Sequence, residues 1–239
     1  MSDTPEVSFV IPVYNEEPIL HAAVVDLCER LAPHGISYEI VLAENGSRDG
    51  TAQVARELSQ RHPEVRLVQS PTPNYGQALR LGILGARGSL IICEEIDLCD
   101  VAFHLKALAE LKNDSADFVI GSKLIGGARD QRPFLRHAAS QLYTGLLRLL
   151  FDFRGTDTHG LKAFRRDLVL PLVEACQVDG DVFASELVIR AYRAGLRMLE
   201  IPVRVLEKRP PSINLLKRIP GVTSSLVQLT RALRGNSRQ

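Results

Sequence analysis

Short apolar runs alternate with polar turns and with longer stretches of helical periodicity. Val7–Val13 reads as a buried strand, closed by the turn-forming Asn15 and followed by a helical pattern through about Leu31. Glu39–Ala43 is a second strand. Asn45-Gly46-Ser47-Arg48-Asp49-Gly50 is dense in turn and cap residues, and Val54, Ala55 and Leu58 behind it sit at helical spacing. A third unit pairs strand Val65–Gln69 with a helix over Gly76–Ala86. Leu90–Cys93 is a fourth strand running straight into Glu94-Glu95-Ile96-Asp97; Val101, Leu105, Leu108 and Leu111 then mark a helix before strand Phe118–Gly121.

Strands alternating with helices of this length imply a mostly parallel sheet covered on both faces. Ligands in such sheets bind beyond the carboxyl ends of the strands. The loops Tyr14–Glu17, Glu44–Gly50 and Glu94–Asp100 are therefore expected to converge on one crevice. After Gly121 the pattern changes to a loop with Gly126, Gly127, Arg129 and Arg132, a helix over Pro133–Phe151, and a turn over Arg154–Gly160. Helices over Arg166–Ala175 and Phe183–Ala194 and a strand over Met198–Leu206 follow. The expected organisation is one domain over 1–209, in halves 1–121 and 122–209, with a basic amphipathic tail over 210–239.

A chain of 239 residues, 45% of them hydrophobic, is long enough for one substantial core. Lys plus Arg (29) balance Asp plus Glu (28), which gives no reason to expect a nucleic-acid partner. Cys28, Cys93, Cys99 and Cys176 form neither a CxxC pair nor a zinc spacing, and a reducing cytoplasm is the expectation. The N-terminus lacks the basic and apolar regions of a signal peptide, and no stretch reaches the roughly 18 apolar residues of a membrane span. A soluble or peripheral protein is expected.

Glu95 and Asp97 carry the strongest chemical signal. Two apart on an extended segment, they share a face and can approach one hard cation, Mg²⁺ or Mn²⁺, whose other positions substrate phosphates fill. Solvated loop charges are the plain alternative. At the end of the first strand, Tyr14 can stack on a nucleobase and Glu16 can accept from a ribose or base, or both can belong to a helix cap. Glu44-Asn45-Gly46-Ser47 has the same two readings.

Taken in order, Pro12-Val13-Tyr14-Asn15-Glu16, Glu44-Asn45-Gly46-Ser47-Arg48-Asp49-Gly50-Thr51, Asn74-Tyr75-Gly76-Gln77-Ala78 and Glu95-Ile96-Asp97-Leu98 resemble the successive motifs of the family 2 glycosyltransferases. Within that family the chain is similar to the dolichyl-phosphate mannose synthase group and its bacterial polyprenyl-phosphate relatives. The resemblance implies a GT-A fold, a three-layer α/β/α sandwich with a mostly parallel central sheet. It also implies that Pro12, Tyr14, Glu16, Glu44, Asn45 and Gln77 hold the donor nucleotide, and that Glu95 and Asp97 hold Mg²⁺ or Mn²⁺ and the diphosphate. Two departures stand out: Glu44-Asn45 where the family has Asp-Asp, and Glu95-Ile96-Asp97-Leu98-Cys99 where it has Asp-Ala-Asp-Leu-Gln.

In the second half the resemblance assigns Lys123, Arg136 and Ser140 to an acceptor phosphate, with Asp157, His159 and Glu186 in the accompanying motifs and Lys208 or Arg209 closing over the phosphates. Lys123 stands where the family more often has Arg, which replaces a forked donor by a point charge, and His159 stands where it has Ser. The implied activity is inverting transfer from GDP-mannose or a UDP-sugar to a polyprenyl or dolichyl phosphate at the cytoplasmic membrane face. The implied partners are the donor, the lipid phosphate and a membrane surface, with a homo-oligomer possible. Leu142, Leu149, Leu150 and the apolar positions of the tail suit either a bilayer surface or core packing. Two alternatives stay open: a saccharide or protein hydroxyl acceptor with Asp157 or Glu186 as general base, and a catalytically impaired nucleotide-sugar-binding protein. The absence of Trp excludes the Gln-x-x-Arg-Trp signature of processive synthases. A nucleotidyltransferase lacks its Gly-rich basic loop here.

Overall fold

The computed structural model describes residues 4–126, 129–130, 134–205 and 219–234. The first half repeats one unit: β1 (Val7–Val13), α1 (Glu17–Leu31), β2 (Tyr38–Asn45), α2 (Thr51–Arg61), β3 (Val65–Ser70), α3 (Tyr75–Gly85), β4 (Leu90–Cys93), α4 (Val101–Lys112) and β5 (Phe118–Ser122). The second half holds β6 (Arg129–Asp130), α5 (Phe134–Phe151), β7 (Lys162–Arg165), α6 (Arg166–Ala175), α7 (Phe183–Arg193), β8 (Met198–Pro202), β9 (Arg204–Val205) and α8 (Ile219–Arg234). Seven strands form one sheet in the order β3-β2-β1-β4-β7-β5-β8, and β6 pairs with β9 beside it.

Side-chain alternation along β1 explains the three layers. Phe9, Ile11 and Val13 pack with Leu20, Val24 and Leu27 of α1 and with Leu108 and Leu111 of α4 on one face. Val10 turns to the other face, against Leu79 and Ile83 of α3, Val169 and Val173 of α6, and Leu187 and Val188 of α7. A strand buried on both faces needs the unbroken apolar run that the sequence shows.

Two elements differ from the sequence reading. β7 was not anticipated: Lys-Ala-Phe-Arg is short and polar at both ends, so it has no strand periodicity of its own. It forms because it fills the gap between β4 and β5, antiparallel to both. The expected strand over Met198–Leu206 divides, β8 pairing with β5 and β9 leaving to meet β6 within the expected Arg-bearing loop. In the tail, α8 buries Leu229, Ala232 and Leu233. The Arg190 and Arg193 guanidiniums of α7 donate to the Ala232 and Leu233 carbonyls at 3.3 and 3.2 Å, satisfying groups that a helix end leaves open. Among the described residues no helix is long and apolar enough to cross a membrane.

Candidate active site

The carboxyl ends of β1, β2 and β4 lie side by side, as the parallel register requires. The loops that follow β1 and β2 are stitched together. The Asn15 N–H donates to Ser47 Oγ at 3.0 Å, Arg48 N–H to Asn15 Oδ1 at 2.9 Å, and Glu16 N–H to Thr51 Oγ1 at 2.7 Å. Asn15 takes a left-handed backbone (φ 54°), a conformation Asn tolerates better than most residues, and so turns the chain sharply out of β1. Pro12 stays in the strand opposite Ala43, while Tyr14 emerges with 39% of its surface exposed. A half-open aromatic ring above buried strand ends is available for stacking.

Glu44 and Asn45 are buried. Glu44 accepts from Ser47 N–H at 2.6 Å and from Gln69 Nε2 at 3.4 Å. Asn45 Oδ1 accepts from Asn74 N–H at 2.6 Å, and Asn74 Oδ1 in turn caps α3 through Gln77 N–H (3.0 Å) and reaches Gly180 N–H (2.8 Å). Gln77 Oε1 accepts from Ser70 Oγ at 3.3 Å. This network holds the loops after β2 and β3 together and ties them to the segment before α7.

The acidic pair follows β4, but not on extended backbone. Leu98 and Cys99 N–H both donate to the Glu95 carbonyl, at 2.9 and 3.3 Å, so residues 95–98 form a turn that Cys99 leaves at φ 41°. The turn, rather than the strand pleat, brings the Glu95 and Asp97 charges together. Glu95 reaches solvent, yet the protein around it strips part of its water, and the Asp97 charge adds repulsion. Its pKa is pushed up to about 7. Crowded carboxylates of this kind are relieved by a divalent cation. Among the described residues no cluster of three His, Cys, Asp or Glu side chains could hold a metal alone. Two carboxylates are the hard oxygen donors that Mg²⁺ or Mn²⁺ takes, and such an ion keeps its other positions for water or phosphate oxygens.

The second half meets this edge because β7 runs antiparallel: its beginning, not its end, lies beside the carboxyl end of β4, with Cys93 opposite Lys162. The turn 157–160 just before it therefore lies at the same edge of the sheet as the acid pair. Asp157, buried, pairs with Lys123 Nζ at 3.1 Å and accepts from His159 N–H at 2.9 Å. Burial alone would raise the Asp157 pKa; the Lys123 charge and the His159 N–H outweigh it and hold it below the ordinary range. His159 is exposed, its Nδ1 3.2 Å from Thr158 Oγ1 and its ring edge-on to Tyr143 with centroids 5.4 Å apart.

Sequence reasoning missed Lys162. Its ammonium is buried and donates to the Gly160 carbonyl at 2.7 Å; burial pushes its pKa down against the opposing pull of Cys93, Asp157 and Glu95. Only recognition of β7 could have revealed it. Glu186 is placed differently from the expectation of substrate contact. It is fully buried, accepts from Val178 N–H (2.7 Å), Gln177 N–H (2.9 Å) and Arg190 Nε and Nη2 (2.8 and 2.6 Å), and has no open face for a ligand. It cannot serve as a general base from there. Arg136 and Ser140 belong to α5, but their side chains lie outside the described residues, as do Lys208, Arg209 and Arg132.

The profile of "Glycosyl transferase family 2" matches residues 8–170. Glycosyltransferase AglD of Haloferax volcanii is 30% identical over 93% of this chain and 36% of its own length. A dolichyl-phosphate beta-glucosyltransferase of Trichomonas vaginalis is 30% identical over 84% of this chain and 66% of its own. An undecaprenyl-phosphate 4-deoxy-4-formamido-L-arabinose transferase of Edwardsiella ictaluri is 29% identical over 84% of this chain and 60% of its own. The chain thus spans between about a third and two thirds of these relatives. Among solved structures, glucosyl-3-phosphoglycerate synthase of Mycobacterium tuberculosis, in complex with Mn²⁺, UDP and glucosyl-3-phosphoglycerate, superposes with a TM-score of 0.70 at 19% identity, covering 95% of this chain and 80% of that one. At that identity the likeness shows the fold, and the fold is the expected GT-A sandwich.

Proposed function

The chain belongs to glycosyl transferase family 2, and on that premise we propose that it moves a sugar from a nucleoside-diphosphate sugar to a polyprenyl phosphate, with inversion at the anomeric carbon. The observation that carries this reading is the meeting, at one sheet edge, of a crowded acid pair from β4 with the Lys123–Asp157 pair from the second half. Tyr14 and the Glu16, Glu44 and Asn45 loops receive the nucleoside, with Pro12 and Gln77 shaping the floor. Glu95 and Asp97 hold a divalent cation, which when bound neutralises charge on the departing diphosphate.

An acceptor phosphate has a second pKa of about 6 and is largely dianionic at neutral pH. One of its oxygens attacks the anomeric carbon as the bond to the nucleoside diphosphate breaks, and no side chain has to remove a proton. The acids on hand support this assignment. Asp157 is held below the ordinary carboxylate range and engaged by Lys123, and Glu186 is sealed inside the fold, so neither is suited to deprotonate a sugar hydroxyl. Lys123 supplies fixed positive charge for the acceptor, Arg136 and Ser140 lie one helical turn apart on α5 to orient it, and Lys208 or Arg209 closes over the phosphates.

The lipid tail needs apolar surface. Leu142, Leu149 and Leu150 on α5 are 68%, 81% and 47% exposed, which supports peripheral attachment to a membrane surface. Mass spectrometry of reactions pairing UDP- and GDP-sugars with a short polyprenyl phosphate, with Mg²⁺ or Mn²⁺, tests the proposal. It expects a lipid-phosphate sugar from at least one donor. Product only on saccharide acceptors, or nucleotide-sugar binding without any product, refutes it.

A further inference from the structure

Directly beneath the acid pair lies a carboxylate–imidazole pair that the reaction does not use. Glu94, 2% exposed, contacts His104 Nε2 of α4 through Oε2, and both side chains are fully enclosed. Its other oxygen accepts from the Glu95 N–H at 3.1 Å, and its own N–H is fixed to the Val10 carbonyl of β1 at 3.0 Å. The His104 ring packs on Phe9 with centroids 4.9 Å apart, and its Nδ1 is buried with no hydrogen-bond partner among the described residues.

Stability is a poor reason for this arrangement. Removing a carboxylate and an imidazole from water is costly, and replacing such a pair by apolar residues is often neutral or stabilising. The orphaned Nδ1 adds to that cost. What the pair does provide is a bridge from a rigid helix to one backbone amide. Glu94 is clamped between α4 and the Glu95 N–H, at the residue where the strand gives way to the turn that brings Glu95 and Asp97 together.

We propose that Glu94 and His104 are positioning residues: the His104-anchored Glu94 carboxylate, through the Glu95 N–H, sets the turn that aims the Glu95 and Asp97 carboxylates at a divalent cation. The proposal rests on the metal-binding reading of that pair. A loosened turn still contains both acids but holds them less well, as when groups behind a metal's ligands are removed, a change that weakens metal affinity about 10–100-fold.

The test is Mn²⁺-dependent UDP binding, by calorimetry, alongside Tm, in wild type, in Glu94→Leu/His104→Leu and in Glu94→Gln. The double variant should keep or raise its Tm while its Mn²⁺-dependent affinity falls about tenfold or more. Glu94→Gln, which keeps an acceptor for the Glu95 N–H, should lose much less and serves should the double variant not fold. Unchanged affinity in the double variant overturns the proposal, as does a loss of affinity that merely follows a loss of Tm. Wild type that binds UDP equally with and without Mn²⁺ overturns the metal reading, and this proposal with it.

Discussion

Replacing Glu186 by Ala separates a structural role from a ligand role at a residue that the family motif alone assigns to the acceptor. Its carboxylate takes two bonds from Arg190 and bonds from the N–H groups of 177 and 178, all inside the fold. Truncation leaves Arg190, 8% exposed, as a buried charge without its partner. Breaking a buried ion pair from one side costs about 3–5 kcal/mol. In a domain of this size each kcal/mol lowers Tm by about 2–4 °C, so a fall of about 10 °C is expected. The freed 177–180 segment also loosens Asn74, whose Oδ1 accepts from Gly180 N–H, and through it Asn45. Donor KM should therefore rise in whatever protein remains folded. Urea titration and a thermal scan, with initial rates at saturating acceptor, provide the measurements. A loss below about 1 kcal/mol together with a selective rise in acceptor KM would refute the reasoning and return Glu186 to the substrate.

Gly160→Ala should cost about 3 kcal/mol and most of the activity, because a Cβ there would collide with the Gly121 carbonyl oxygen on β5, and the turn carrying Asp157 would have to move; differential scanning calorimetry and a transfer assay check it. Asp117 is bonded by Arg197, whose side chain holds its pKa down at about 2. A depressed carboxylate stabilises the fold above its unfolded value near 4 and loses that contribution as pH falls through 2. With Arg197 about half exposed, solvent screening reduces the contribution to about 1 kcal/mol. Asp117→Asn should lower stability at pH 7 and flatten its loss between about pH 4 and 2, read by urea titrations across that range; parallel acid profiles for variant and wild type would contradict it.

The first half of the fold was legible because β1, β2, β4 and β5 are buried on both faces and each helix carries one apolar stripe. Local pattern and final environment coincide for the strands and helices between Val7 and Ser122. The second half was less so. β7 owes its existence to a gap between β4 and β5, a tertiary cause that four residues with charged ends do not announce, and Lys162 was lost with it. Glu95 and Asp97 were found by type and place, yet their proximity comes from a turn, since the carbonyl of Glu95 captures two N–H groups where extended backbone was expected. Glu94 and His104 escaped notice because ten positions separate them and only the packing of α4 under β4 makes them partners. Glu186 shows the converse: a motif marks where a residue falls in the chain, and burial decides what its carboxylate can touch.

The most direct measurement is transfer by Asp97→Asn, an isosteric change that removes one charge from the acid pair and leaves its turn in place. Sugar transfer with Mn²⁺ should fall at least about a hundredfold, Mn²⁺ should no longer tighten UDP binding, and Tm should stay within a few degrees of wild type. Near-normal turnover in that variant, with UDP affinity still raised by Mn²⁺, would contradict the account.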